Sequence, residues 1–220
     1  MTFTEAQILF SKARMQKYLN ACGGDEQKAM IIYEYNTRLS EYFFGVLGIF
    51  EIILRNAINR HYLEQLGNDW IINQVEVGGL LEHDVEEVQM AERAFRRNGV
   101  YSHDKMVGSF TFGFWTYLFT KRNYRLGGKT LLQIFPNRPK GTMQRKVYED
   151  ITRIREFRNR VAHHEPICFN SDGQIDLNYI QTQYMLIKDY LTYLGVMPQS
   201  VLKIVESPDL LMTELESLME

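Results

Sequence analysis

Cysteine is scarce in this 220-residue sequence: Cys22 and Cys168 are the only two, far apart and outside any Cys-x-x-Cys spacing. Neither a disulfide framework nor a cysteine zinc site is indicated. Long apolar runs are missing too. The most apolar stretch, Phe43 to Leu54, is interrupted by Glu51 and followed at once by Arg55, so it cannot span a bilayer. The opening Met1-Thr2-Phe3-Thr4-Glu5 has neither the basic nor the apolar region of a signal peptide. A cytoplasmic protein without a membrane partner is the expectation. Internal repeats and low-complexity linkers are absent. So is an excess of positive charge: 25 Lys and Arg against 27 Asp and Glu leave a net charge of -2, which excludes a uniformly basic nucleic-acid coat.

What is present suffices for a sizeable core. With 45% hydrophobic residues over this length, one domain spanning 1–220 is expected. Charge is segregated along the chain. Between Arg138 and Arg160 stand eight Lys or Arg against Glu149, Asp150 and Glu156, whereas Glu206 to Glu220 holds five acids and no base. The basic stretch is therefore where an anionic partner would be met.

Apolar periodicity is helical almost throughout. Thr4 reads as an N-cap for a helix reaching Gly23-Gly24, and Asp25 caps a short helix to about Tyr35. From Leu39, the recurrence Phe43, Val46, Leu47, Phe50, Ile53, Leu54, Ala57, Ile58 predicts a long amphipathic helix to about Leu66. Further helices are predicted over 80–97, 142–164 and 176–194, with a short one opened by Pro208. A turn is expected at Ser171-Asp172-Gly173. The aromatic block from Phe110 to Phe119 suits strand or helix by pattern; with no partner strands in sight, a buried helix is expected. The fold class is all-α.

The most informative stretch is Arg158-Asn159-Arg160-Val161-Ala162-His163-His164-Glu165-Pro166. Arginine offers a permanently charged fork that matches phosphate oxygens, and histidine can give or take a proton near neutrality. On a regular helix Asn159 and His163 share a face, as do Arg160 and His164, while Arg158 lies about 140° from His163. A second copy across a two-fold axis would bring both kinds of group together. These residue types suit RNA cleavage by the substrate's own 2'-hydroxyl, with no metal or other cofactor. The same run also suits a solvated helix end whose cations complement the helix dipole. Adjacent histidines point about 100° apart, a poor arrangement for a metal. A second stretch, Glu51…Arg55-Asn56 continuing to His61, repeats the outline. Glu51 and Arg55 at i,i+4 read as a structural ion pair or, alternatively, as support behind the main motif.

Taken together, the order of motifs resembles the Abi-like family of bacterial abortive-infection proteins, of the AbiD/AbiF type. The matching pieces are Tyr35-Asn36 with Leu39, Glu51 with Leu54-Arg55-Asn56, Trp70 after Gly67, and Phe112-Gly113-Phe114-Trp115 with Leu118-Phe119. Phe135-Pro136 follows, then Ile154-Arg155 leading to Arg158 through Ile167. That family is similar to the HEPN superfamily of helical domains, whose arginine and histidine, four to six residues apart, fall here on Arg158 and His163. The resemblance implies a HEPN-like helical bundle with additional helices, acting as a metal-independent endoribonuclease at a site shared by a homodimer. It further implies phage defence by RNA cutting, restrained by an inhibitory RNA or a protein antitoxin. Arg158, Asn159 and His163 would then be catalytic, Arg155, Arg160 and His164 would hold RNA, and Glu51, Arg55 and Asn56 would stand behind them. The alternative is a non-catalytic RNA-binding or regulatory protein that uses the same basic groove.

Overall fold

A computed structural model describes residues 1–170, 172–205 and 208–218. Ser171 of the expected turn and Glu206 and Glu220 of the acidic stretch lie outside the described residues. The protein is all-α. Twelve helices are described: α1 (Phe3–Phe10), α2 (Lys12–Ala21), α3 (Glu26–Leu66), α4 (Trp70–Asn73), α5 (Val85–Arg97), α6 (His103–Ser109), α7 (Phe112–Tyr117), α8 (Lys121–Leu126), α9 (Gln144–Ala162), α10 (Asn178–Tyr193), α11 (Pro198–Leu202) and α12 (Asp209–Ser217). Two 3-10 turns, at Glu82–Asp84 and Leu131–Ile134, join them. Among the described residues the only strand-like pairing is one antiparallel bridge, Phe169 to Ile175. No helix there is long and apolar enough to cross a membrane.

Several predicted boundaries move, each for a local reason. Thr2, not Thr4, caps α1: its hydroxyl accepts from the Glu5 N–H while the Glu5 carboxylate accepts from the Thr2 N–H, a closed capping box. Ser11, at φ 80°, breaks the predicted first helix in two and caps α2 through the Arg14 N–H. Conversely, the short helix capped by Asp25 does not stop near Tyr35. No proline occurs before Pro136, and the buried stripe Ile32, Asn36, Leu39, Phe43 continues without a gap, so α3 runs 41 residues. It stops at Gly67, whose φ of +83° is the left-handed conformation that ends helices. The helix predicted from Leu80 starts at Val85 behind the 3-10 turn. The aromatic block is helical: Phe112, Phe114 and Trp115 of α7 are buried, as are Phe110, Leu118 and Phe119 beside it.

The chain divides into two compact units. The first comprises Met1–Gly48, Phe157–Met185 and Gln199–Glu220; the second comprises Ile49–Glu156 and Leu186–Pro198. In the first, Phe43 packs edge-on against Phe157 and Tyr184, with ring centroids 5.2 and 5.7 Å apart, and Phe157 meets Tyr179 at 5.7 Å. In the second, Tyr62, Trp70 and Trp115 form a chain of rings at 4.8 and 6.4 Å, all fully buried. Burying side chains of this size contributes about 1.5–3 kcal/mol each.

Candidate active site

Helix α9 carries the motif because its apolar residues Val147, Ile151, Ile154, Phe157 and Val161 recur at three and four and are all buried. At about 100° per residue, Arg158 falls between the directions of Ile154 and Ile151 and is half-buried. His163 falls about 140° further round and is exposed. The arc between them contains Ala162, Arg155 and Asn159. Helical register is kept as far as His163, whose N–H donates to the Asn159 carbonyl at 2.9 Å. One face of the last turns of α9 thus presents a half-buried guanidinium, a small alanine, an exposed amide and an exposed imidazole. Arg155 belongs to the second unit, and Arg158, Asn159 and His163 to the first.

His164 leaves this face. It takes φ 55°, its N–H donates to the Val161 carbonyl at 3.0 Å, and the Glu165 N–H donates to Arg160 at 2.9 Å. That pair of bonds is a Schellman ending with histidine in the left-handed position usually held by glycine. The expected shared face of Arg160 and His164 is therefore not formed, because α9 ends at Ala162 and the chain reverses hand. His164 lines an apolar groove of about 640 Å³ with Phe10, Tyr33, Phe44 and Val161. Arg160 lines a separate depression with Lys17, Glu165 and Phe169. Its guanidinium donates to the Pro166 carbonyl at 2.5 Å, stands 3.7 Å from the Glu165 carboxylate and lies 4.8 Å from the centre of the Tyr179 ring. It braces the turn.

Two residues that sequence reasoning left out of the site hold the turn in place. Asn36, on α3 and 4% exposed, accepts from the Ile167 and Cys168 N–H groups at 2.8 and 3.2 Å. Arg14, on α2, donates to the His164 carbonyl at 2.8 Å. The signal for Asn36 was its place on an otherwise apolar stripe. Arg14 had no such signal, since the contact spans 150 residues. Beside them burial pushes the Cys168 thiol up to about 12, so it stays protonated and unreactive at neutral pH.

The basic stretch is partly spent on structure. Arg138 donates to the Leu132 and Phe135 carbonyls at 2.9 and 3.0 Å. Lys146 pairs at 2.7 Å with Asp150, which is buried and also accepts from the Tyr190 hydroxyl at 3.0 Å. Arg145 pairs with Glu149 at the surface.

The second stretch lies in the second unit. Glu51 is half-buried on α3. Arg55 does not form the expected ion pair with Glu51: among the described residues no carboxylate pairs with it, and its Nε is buried without a hydrogen-bond partner. Asn56 is exposed, and both line a groove with residues of α6. His61 is buried, and its Nε2 stands 2.9 Å from the Thr130 hydroxyl. That hydroxyl donates to the Gly127 carbonyl at 3.1 Å, so His61 is the donor in the pair. Burial lowers its pKa below the usual histidine value. Among the described residues no group of three or more His, Cys, Asp or Glu is gathered as a metal-binding set.

No protein-family model matches this chain, and no curated protein or solved structure matches it either.

Proposed function

We propose that the chain is a metal-independent endoribonuclease of the HEPN type, acting in the cytoplasm in phage defence. The observation that carries the reading is the polar arc on the last turns of α9, with half-buried Arg158 at one edge, exposed His163 at the other, and Asn159 between them. The substrate is RNA, since the nucleophile is its 2'-hydroxyl. That oxygen bonds to phosphorus, the bond from phosphorus to the 5'-oxygen breaks, and a 2',3'-cyclic phosphate and a 5'-hydroxyl result. His163 moves the proton, accepting it from the 2'-hydroxyl or giving one to the departing oxygen. Arg158 holds the phosphate oxygens as charge builds on them, and Asn159 orients the substrate. The wide angle between Arg158 and His163 is met by a second copy of the chain, so that each phosphate is held by arginine and histidine from facing helices in a homodimer. Arg155 adds a phosphate contact. An inhibitory RNA or protein antitoxin keeps the enzyme silent until infection.

The test is RNA cleavage in EDTA by wild type, Arg158→Ala and His163→Ala, with the product ends identified. We expect cyclic phosphate ends from wild type and a loss of about 100- to 10,000-fold in each variant. His163 is exposed, so its variant should melt with the wild type. Folded wild type that binds RNA but leaves it intact, even with cognate inhibitor removed, would overturn the enzyme reading in favour of an RNA-binding protein. A light-scattering mass of one chain at assay concentration would overturn the shared site.

A further inference from the structure

Among the described residues the buried Nε–H of Arg55 has no hydrogen-bond partner, and the same arginine lines a groove. That groove, about 530 Å³, lies between α3 and α6 in the second unit. Arg55, Asn56, Asn59, Arg60 and Leu63 line one side from α3, at spacings that share one helix face. Asp104, Val107 and Gly108 line the other from α6. Two arginines and one aspartate thus line the same groove, and among the described residues neither arginine is ion-paired.

Asn59 adds a fixed donor. It is 8% exposed, and its Oδ1 accepts from the Trp70 indole at 2.9 Å and lies 2.7 Å from His103 Nε2. An indole nitrogen only donates, so the atom facing both partners is oxygen, and the His103 nitrogen must donate as well. With the oxygen taken twice, the NH2 is the edge that Asn59 can turn to the groove. Gly108 keeps the opposite wall low: a Cβ built there would meet nothing within 4 Å.

We propose that this groove binds a nucleotide. Arg55 and Arg60 take the phosphate oxygens through the terminal N–H groups of their guanidinium forks. The amides of Asn56 and Asn59 donate alongside. Asp104 accepts from the sugar hydroxyls, and Leu63, Val107 and Gly108 provide an apolar seat for sugar or base. A bare inorganic anion would leave Asp104 and the apolar lining unused, whereas a nucleotide uses both. The same chemistry is offered by a free nucleoside phosphate or by one nucleotide of an RNA strand. The site stands on these residues alone, so the ribonuclease reading can fail while this one holds.

The experiment is calorimetric titration of the full chain with 5'-adenosine monophosphate and, separately, with a short 2'-O-methyl oligoadenylate that cannot be cut. Three variants accompany it: Arg55→Gln with Arg60→Gln, Gly108→Leu, and Arg145→Gln as a charge control outside the groove. We expect the double variant and Gly108→Leu each to weaken binding by about tenfold or more, and Arg145→Gln to bind as wild type does. Binding of the monophosphate identifies a free-nucleotide pocket, and binding of the oligomer alone identifies a strand groove; either supports the site. Gly108→Leu removes no charge and replaces glycine by a better helix former, so it carries the test if the arginine pair is needed for folding. Failure of wild type to bind either probe, binding that survives both groove variants, or equal loss in Arg145→Gln would overturn the proposal.

Discussion

Asn36 shows how much one side chain can decide. Its amide oxygen is the acceptor for two successive buried N–H groups just beyond the motif, so it fixes where the chain goes after Pro166. Replacement by leucine, similar in size but with no acceptor, orphans both donors at about 1–3 kcal/mol each. Urea unfolding of Asn36→Leu should show that loss, and an unchanged midpoint would mean the turn is held by other contacts. At this scale the sequence was legible in part. Arg158, Asn159 and His163 could be placed from spacing alone, because α9 keeps its register as far as His163. The placement of Arg160 and His164 could not, since it depends on a reversal of hand that periodicity does not encode.

Among the elements, the end of α9 is built against local preference. Histidine in a left-handed position costs roughly 1–2 kcal/mol relative to ordinary conformations, and His164 holds it at φ 55°. His164→Gly should relieve that cost and raise stability by about 1 kcal/mol, seen as a higher melting temperature. If His164 also grips RNA, the same variant binds more weakly while melting higher. A fall in melting temperature would show that the imidazole's packing in the apolar groove outweighs the backbone cost. Element type was well legible, because long apolar stripes at three and four admit little else. Boundaries were less so: Ser11 split one predicted helix, and an unbroken stripe through Asn36 fused two others. Caps and left-handed residues decide such ends, and several residue types can supply them.

For the molecule as a whole, pH bears on stability through two histidines of the second unit, His61 buried and His103 half-buried. Burial lowers the pKa of both His61 and His103. Each is therefore neutral in the folded chain at pH values where the unfolded chain already takes up a proton. The unfolded state binds more protons as pH drops below the ordinary histidine value, about 6.5, and stability falls from there until the folded-state values are passed. Chemical unfolding at pH 7.5 and 5.5 should show a lower midpoint in acid, and substitution of either histidine by glutamine should flatten the difference. Asp84, raised mainly by burial, works in the opposite sense at more acidic pH.

The way the two units share the chain has a consequence in time. Residues up to Gly48 belong to the first unit, but the next segment of that unit begins only at Phe157. During synthesis at roughly 5–20 residues per second, the apolar side chains of the early half of α3 wait on the order of 5–20 seconds for Phe157 and Tyr184 to leave the ribosome. Most of the second unit can gather in that interval. A newborn chain therefore carries an uncovered apolar helix until Phe157 emerges, and ribosome-associated chaperones should be found on Phe43 and its neighbours throughout that interval.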